Sequence, residues 1–564
     1  MGLATLAAVA FGVHWILRPA RADFIFVNGR VYTVDDDSSI AEAIAVRGNR
    51  IVRVGTSADI QDRYTAPRVI DLRGRPVYPG VVAAQAHIEA IGLALRTVNL
   101  GGLSSIVSIK ERIAQELASR TRGEWIRGRG WDQNWWPIKE FPTHEALDAV
   151  APENPVYLTR VDGHAVWVNR RVLEIAGITA ATADPEGGKI IRDKRGNLTG
   201  VFVDNAITLL SGALPPTSVD ERRQAILSAI GECTRLGLTE VHDMGVDSLG
   251  VQLYTRLIQE GKFPFRIYAA IDGPGPTWDF YKNSGPVINA FEGKLNVRAL
   301  KMYVDGALGS RGAALIMPYS DDPENRGLTL TPGENLRTAA QECVARGFQM
   351  CVHAIGDRAN AIALTVYENT FNENGVNGAQ LRFRIEHAQV IDAADVYRFR
   401  RYGIIPSMQP THCTSDMPWA TARLGAERVQ MAYAWRTLLR EGNEIPAGSD
   451  SPVESPNPLL GFYAAVTRQD PEGKPEGGWV PEQRMTRGEA LRAFTLWGAR
   501  AAFQEKLKGS IEEGKWADIV VLSDDIMTIA PDKIPTTRVE LTMVGGEIAY
   551  EVGSFAATAG SVGH

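Results

Sequence analysis

Ala299-Leu-Lys301-Met-Tyr-Val-Asp305, then Asn335-Leu-Arg-Thr-Ala-Ala-Gln-Glu-Cys-Val-Ala-Arg346, then Phe348-Gln-Met-Cys-Val-His353: this stretch reads as strand, helix, strand. The outer runs are short and apolar, as strands covered on both faces are, and the middle run is helix-like. Strands alternating with helices predict parallel βα units. Working outward, the same reading finds eight candidate strands, at 81–87, 238–243, 266–271, 299–305, 348–353, 383–387, 403–408 and 444–450, with another helix-like run at 218–236. Eight such repeats predict a (β/α)8 TIM barrel over 79–498. The interval of about 97–216 is too long for a loop and is expected to be an insertion with its own structure. It is rich in aromatic and polar text, notably Gly123-Glu-Trp-Ile-Arg-Gly-Arg-Gly-Trp131-Asp-Gln-Asn-Trp-Trp136 and Asp162-Gly-His164-Ala-Val-Trp-Val-Asn169.

The two ends of the chain differ from this α/β middle. Apolar runs flank Asn28-Gly29, Gly48-Asn49 and Gly545-Gly546, each read as a hairpin turn. A small β-sandwich domain built from both termini is expected, from 23–78 plus 499–552, with 553–564 a frayed tail. Residues 3–17 (LATLAAVAFGVHWIL) are apolar and precede Arg18-Pro19-Ala20-Arg21-Ala22. As a helix they would span about 22 Å, short of a bilayer core of roughly 30 Å. Residues 1–22 are therefore expected to be an export signal to the periplasm, cleaved after Ala20-x-Ala22, or a membrane anchor through 3–17. Cytoplasmic residence is the alternative, because two arginines follow the apolar run and none precedes it. A net charge of −6 provides no basic field for nucleic acid. The four cysteines have neither CxxC nor disulfide-framework spacing.

In a (β/α)8 barrel the reactive groups lie at the C-terminal ends of the strands. Those ends carry His87, Asp243, Asp305, His353, His387 and Asp450, with Lys301 inside the fourth strand. Three of the nine histidines thus fall on one face beside carboxylates, a donor set suited to zinc-type ions.

These residues lie in text that resembles the amidohydrolase superfamily, in its YtcJ-like branch with the N-substituted formamide deformylases. The resemblance runs through Lys301-Met-Tyr-Val-Asp305-Gly-Ala-Leu-Gly-Ser-Arg311, His353-Ala-Ile-Gly-Asp-Arg358, Arg384-Ile-Glu-His387-Ala-Gln389 and Gly448-Ser-Asp-Ser-Pro-Val-Glu454. It implies hydrolysis of a C–N amide-type bond in a small-molecule N-acyl or N-formyl amide, on a hydrophobic amine. It also implies one or two divalent ions, zinc by preference, held by His353, His387, His87, Asp450 and a carboxylated Lys301. Asp450 would be the general base that activates the attacking water and passes its proton to the departing nitrogen. His164, Trp131 and Asp305 are expected to face the substrate, and a homodimer is common among relatives.

One departure bears on the chemistry. The family's first strand ends Asp-x-His-x-His, whereas this chain reads Ala83-Ala-Gln85-Ala-His87. Gln85 and His87 share one face of the strand, so the change falls inside the site. A neutral amide is a poor substitute for imidazole on zinc, and the second metal position is expected to be weak or empty. A one-metal hydrolase is the leading expectation. A deaminase of the same fold and a catalytically silent barrel are the alternatives. One of His242 and Asp243 is expected to be structural, and His412 and Cys413 are read as a loop after strand seven.

Overall fold

The computed structural model describes residues 19–553, so the apolar run at 3–17 and the tail from 554 lie outside the described residues. Among the described residues no helix is long and apolar enough to cross a membrane. The chain divides into two compact units. Among the described residues, one holds Ala83–Glu232 and Val241–Phe494; the other holds 19–82, Cys233–Glu240 and 495–553.

Seven barrel strands pair in the order Val81–Ala86, Leu238–Val246, Arg266–Asp272, Leu295–Tyr303, Gln349–Ala354, Arg384–His387 and Ile405–Ser407. A short strand, Val287–Asn289, runs antiparallel beside the fourth. The eighth position, 444–450, closes the ring without forming a regular ladder. Gly448 N–H donates to the Met408 carbonyl (3.1 Å) on one side. Ala84 N–H donates to Ala447 (2.9 Å) and Asp450 N–H to Gln85 (3.0 Å) on the other. Two residues explain the broken ladder. Pro446 has no N–H to donate. Gly448 presses so closely on the first strand that a Cβ there would meet Gln85 backbone atoms at 2.5 Å and 2.6 Å. Helices return the chain to the next strand and stop on left-handed glycines: Gly347 ends Gly333–Arg346, and Gly403 ends Val396–Tyr402.

The barrel interior is polar below its mouth. Arg384 and Glu386, both wholly buried on the sixth strand, pair at 2.7 Å. Arg384 also donates to His242 Nδ1 (2.9 Å), Ser407 Oγ (3.0 Å) and the Ala84 carbonyl, and Tyr268 donates to Gln349 (3.1 Å). Strand alternation places Arg384 and Glu386 inside and would turn His387 outward. A φ of 75° at His387, followed by 42° at Ala388, breaks the pleat there.

The interval after the first strand carries its own sheet of six strands, ordered Val98–Asn99, Ile126–Trp131, Val156–Arg160, Ala165–Val168, Leu198–Asp204 and Gly188–Arg192. Trp131, Trp136 and Trp167 pack in its core with ring centroids 6.0–6.3 Å apart.

In the second unit, one sheet holds Arg50–Gly55, Ala43–Arg47, Phe24–Val27 and Arg68–Asp71. The other holds Glu547–Glu551, Val539–Val544, Ile519–Leu522, Pro76–Pro79, Arg30–Tyr32 and Ile40–Ala41. Alternate residues such as Ile44, Val46, Ile519, Val521, Leu541 and Met543 form the shared core. Hairpins occur at Gly48-Asn49 and Gly545-Gly546. Asn28-Gly29 is a corner instead of a hairpin: the strands on either side of it join different sheets. Gly29 makes the corner possible, since a Cβ would meet the Leu72 side chain at 2.3 Å.

Candidate active site

A cavity of about 440 Å³ opens among the C-terminal ends of the barrel strands, and His353, His387 and Asp450 line it. The His353 and His387 rings lie 4.5 Å apart, edge to face. His387 Nδ1–H donates to Gln409 Oε1 (2.7 Å), which leaves Nε2 with a free lone pair. His353 Nε2 faces the Gly306 carbonyl at 3.4 Å. Burial holds both imidazoles neutral, pushing His387 down to about 3 and His353 well below the usual histidine range. Neutral imidazole is the form that binds a cation.

Asp450 stands at the turn out of the eighth position with φ 54°. Its Oδ1 accepts from Gln85 Nε2 and lies 3.1 Å from His87 Nε2, while Oδ2 lies 3.8 Å from His412 Nε2. Burial would raise this carboxyl. The His87 hydrogen bond and the surrounding imidazoles outweigh it and hold the group well below the usual carboxylate range. His87 is fixed from behind, its Nδ1–H donating to the Met244 carbonyl (2.7 Å). Gln85 Oε1 is buried without a hydrogen-bond partner among the described residues.

His387, His412 and Asp450 each offer a donor atom within 4.8 Å of the other two, a group that could hold a metal ion. His412 Nε2 is buried and has no hydrogen-bond partner among the described residues. His412 is the site residue that strand-end reading underweights. Gln409-Pro-Thr-His412 is not a loop: Pro410 is the first residue of the helix Pro410–Arg428, which rises two residues after the seventh strand ends. Proline in a helix's first turn is the signal that would have placed it.

Lys301 is buried, and its amine lies 4.9 Å from the Tyr303 ring centroid. Among the described residues it makes no hydrogen bond or ion pair, and burial pushes it below the usual lysine range.

Of the residues expected to face the substrate, His164 lines the cavity. It comes from the inserted sheet, its Nδ1–H donating to the buried carboxylate of Asp204 (2.6 Å), with its ring 5.1 Å from His353. Burial opposes its charge, but Asp204 and then Asp162 and Asp450 outweigh that and raise it to about 9.

Trp131 and Asp305 do not contact the cavity, which corrects the expectation for both. Trp131 is wholly buried in the inserted sheet, with its indole N–H on the Leu158 carbonyl (2.8 Å); Trp135 and Trp419 line the cavity instead. Asp305 accepts from the backbone N–H groups of Ala314 (2.8 Å), Ile355 (3.0 Å) and Gly356 (2.8 Å), so it pins the loops after strands four and five. His242 and Asp243 are both structural. His242 takes Arg384 inside the barrel, and Asp243 accepts from Ile88 N–H (2.9 Å) and Tyr254.

The sequence profile of the amidohydrolase family matches residues 68–550. The chain belongs to the amidohydrolase family. This amidohydrolase is 32% identical to YtcJ of Bacillus subtilis, over 93% of this chain and 99% of that one. It is 28% identical to the N-substituted formamide deformylase of Arthrobacter pascens, over 94% and 98% of the two chains. Among solved structures it resembles an uncharacterized metal-dependent hydrolase from Pyrococcus horikoshii, with a TM-score of 0.72, 26% identity and coverage of 90% of this chain and 99% of that one. Family and fold make this amidohydrolase a hydrolase on a TIM barrel, and its clustered donors are those of a divalent-metal site.

Proposed function

We propose that the chain hydrolyses a C–N amide-type bond of an N-acyl or N-formyl amide with a single divalent ion. His387, His412 and Asp450 would hold the ion. His353 stands beside them, and Lys301 would serve as a further donor in its carboxylated form. The donor chemistry fits: the buried neutral imidazoles of His387 and His353, an ionised carboxylate, and a buried amine whose desolvation outweighs the pull of Glu386 and Asp450 on its proton. Imidazole with carboxylate favours a zinc-type ion. Such an ion, when bound, polarises the substrate carbonyl and acidifies water.

The chain's own groups have separate tasks. Asp450, oriented through Oδ1 by Gln85 and His87, accepts the proton of the attacking water and then delivers it to the leaving nitrogen. His164, fixed by Asp204, donates to the carbonyl oxygen as negative charge develops there. The observation that carries the reading is the convergence of His387, His412 and Asp450 at the barrel mouth. The one-metal form is supported by Gln85, whose amide is directed to Asp450.

The same residue favours one rival, a barrel that binds but does not turn over. A panel of N-acyl and N-formyl amides assayed with metal-loaded protein decides. Turnover that disappears in Asp450→Asn supports the hydrolase. An ion bound without turnover supports the silent barrel.

A further inference from the structure

The outer part of the cavity is acidic beyond what the proposed chemistry uses. The helix Pro410–Arg428 presents His412, Ser415, Asp416 and Trp419 to it, residues spaced three or four apart and so on one helix face. Glu454, after the eighth position, lines it opposite Ser415, whose hydroxyl donates to Glu454 Oε1 (2.6 Å). Both donors to Asp416, Gln389 Nε2 (3.1 Å) and the Tyr433 hydroxyl, land on Oδ2. Asp416 Oδ1 and Glu454 Oε2 are left without a hydrogen-bond or ion-pair partner among the described residues.

No arginine or lysine among the described residues that line the cavity is free to neutralise them. Arg160 is the one arginine or lysine lining the cavity among the described residues, and it is already shared by Asp132 and Asp162. The His164 charge is met by Asp204. Burial pushes Asp416 up to about 7 and raises Glu454 as well, outweighing the opposing pull of His412 on each. Two further features point to a ligand. Trp419 is 5% exposed and lines the cavity, yet its indole N–H has no acceptor among the described residues. Trp135, at 51% exposure, offers a ring at the same cavity, the surface that attracts organic cations.

We propose that this amidohydrolase selects amides carrying a second, protonated nitrogen, an ammonium or guanidinium seated between Asp416 and Glu454. The inference rests on the amide-hydrolase reading and replaces the hydrophobic amine with a basic one. Asp416 lies one helical turn beyond His412, their Cβ atoms about 5–6 Å apart. A cation held there is within reach of a short methylene linker from an amide at the ion site, which makes mono-acylated short diamines the fitting class.

The test compares N-(4-aminobutyl)acetamide with its neutral isostere N-pentylacetamide on metal-loaded protein, measuring affinity by calorimetry and acetate release separately. The cationic amide is expected to bind about tenfold tighter or more. That ratio should fall towards one in Asp416→Asn and in Glu454→Gln. Equal affinities, or tighter binding of the neutral amide, overturn the inference, and acetate release in that case leaves the hydrolase standing. A charge preference that the variants abolish, with acetate released from neither amide, supports the pocket assignment and counts against the hydrolase.

Discussion

Replacing Glu386 with Gln tests how the polar interior of the barrel supports the site above it. Glu386 and Arg384 are wholly buried and paired at 2.7 Å on the strand that ends in His387. Removing one partner of a buried pair costs about 3–5 kcal/mol, because the other charge stays desolvated. Arg384 keeps three neutral acceptors, His242 Nδ1, Ser407 Oγ and the Ala84 carbonyl, which places the expected loss near the lower end, about 3 kcal/mol. For a chain of this size that is a fall in Tm of roughly 2–3 °C. Replacing both residues by Arg384→Met with Glu386→Leu removes the stranded charge, and should recover most of the loss. Calorimetry of the parent and the two variants measures the loss and its recovery. A Glu386→Gln variant within 1 kcal/mol of the parent, or a double variant as unstable as the single, would refute the reasoning.

Asp450→Asn should lower kcat by about 10²–10⁴ while the fold persists, read by steady-state assay and circular dichroism. Gln85→His puts an imidazole where the amide now serves Asp450, and metal content should rise from near one towards two ions per chain by mass spectrometry; no rise contradicts the role given to Gln85. The raised His164 keeps its proton through neutral pH, so kcat/KM should decline as pH climbs towards about 9. Asp204→Asn keeps an acceptor for Nδ1–H but removes the charge, leaving burial to oppose protonation, so this decline should move to lower pH; an unmoved limb counts against His164 as the carbonyl's donor. Trp131→Ala should cost about 3–5 kcal/mol through the cavity left in the inserted sheet, measured by denaturant titration.

Much of the barrel was legible because its strands are short apolar runs whose last residues are chemically distinctive. His353, His387 and Asp450 line the cavity at the mouth, and His87 meets Asp450. What escaped was set by tertiary contacts. Asn28-Gly29 carries the local chemistry of a hairpin, yet its flanking strands find partners in different sheets. Trp131 and Trp135 lie four residues apart in one aromatic run; burial in the inserted sheet, which composition does not reveal, decides which of them meets the cavity. Asp305 looks like a ligand at a strand end, but three backbone N–H groups from distant loops claim it. His412 was hidden because a proline after a strand reads as a loop as readily as the first turn of a helix.

The most direct measurement is a crystal structure of the zinc-loaded protein with anomalous scattering recorded at the metal edge. The account predicts one strong peak per chain, bonded to His387 Nε2, to His412 and to the Asp450 carboxylate. A protein that retains no ion, or an ion that leaves His387, His412 and Asp450 unligated, contradicts it.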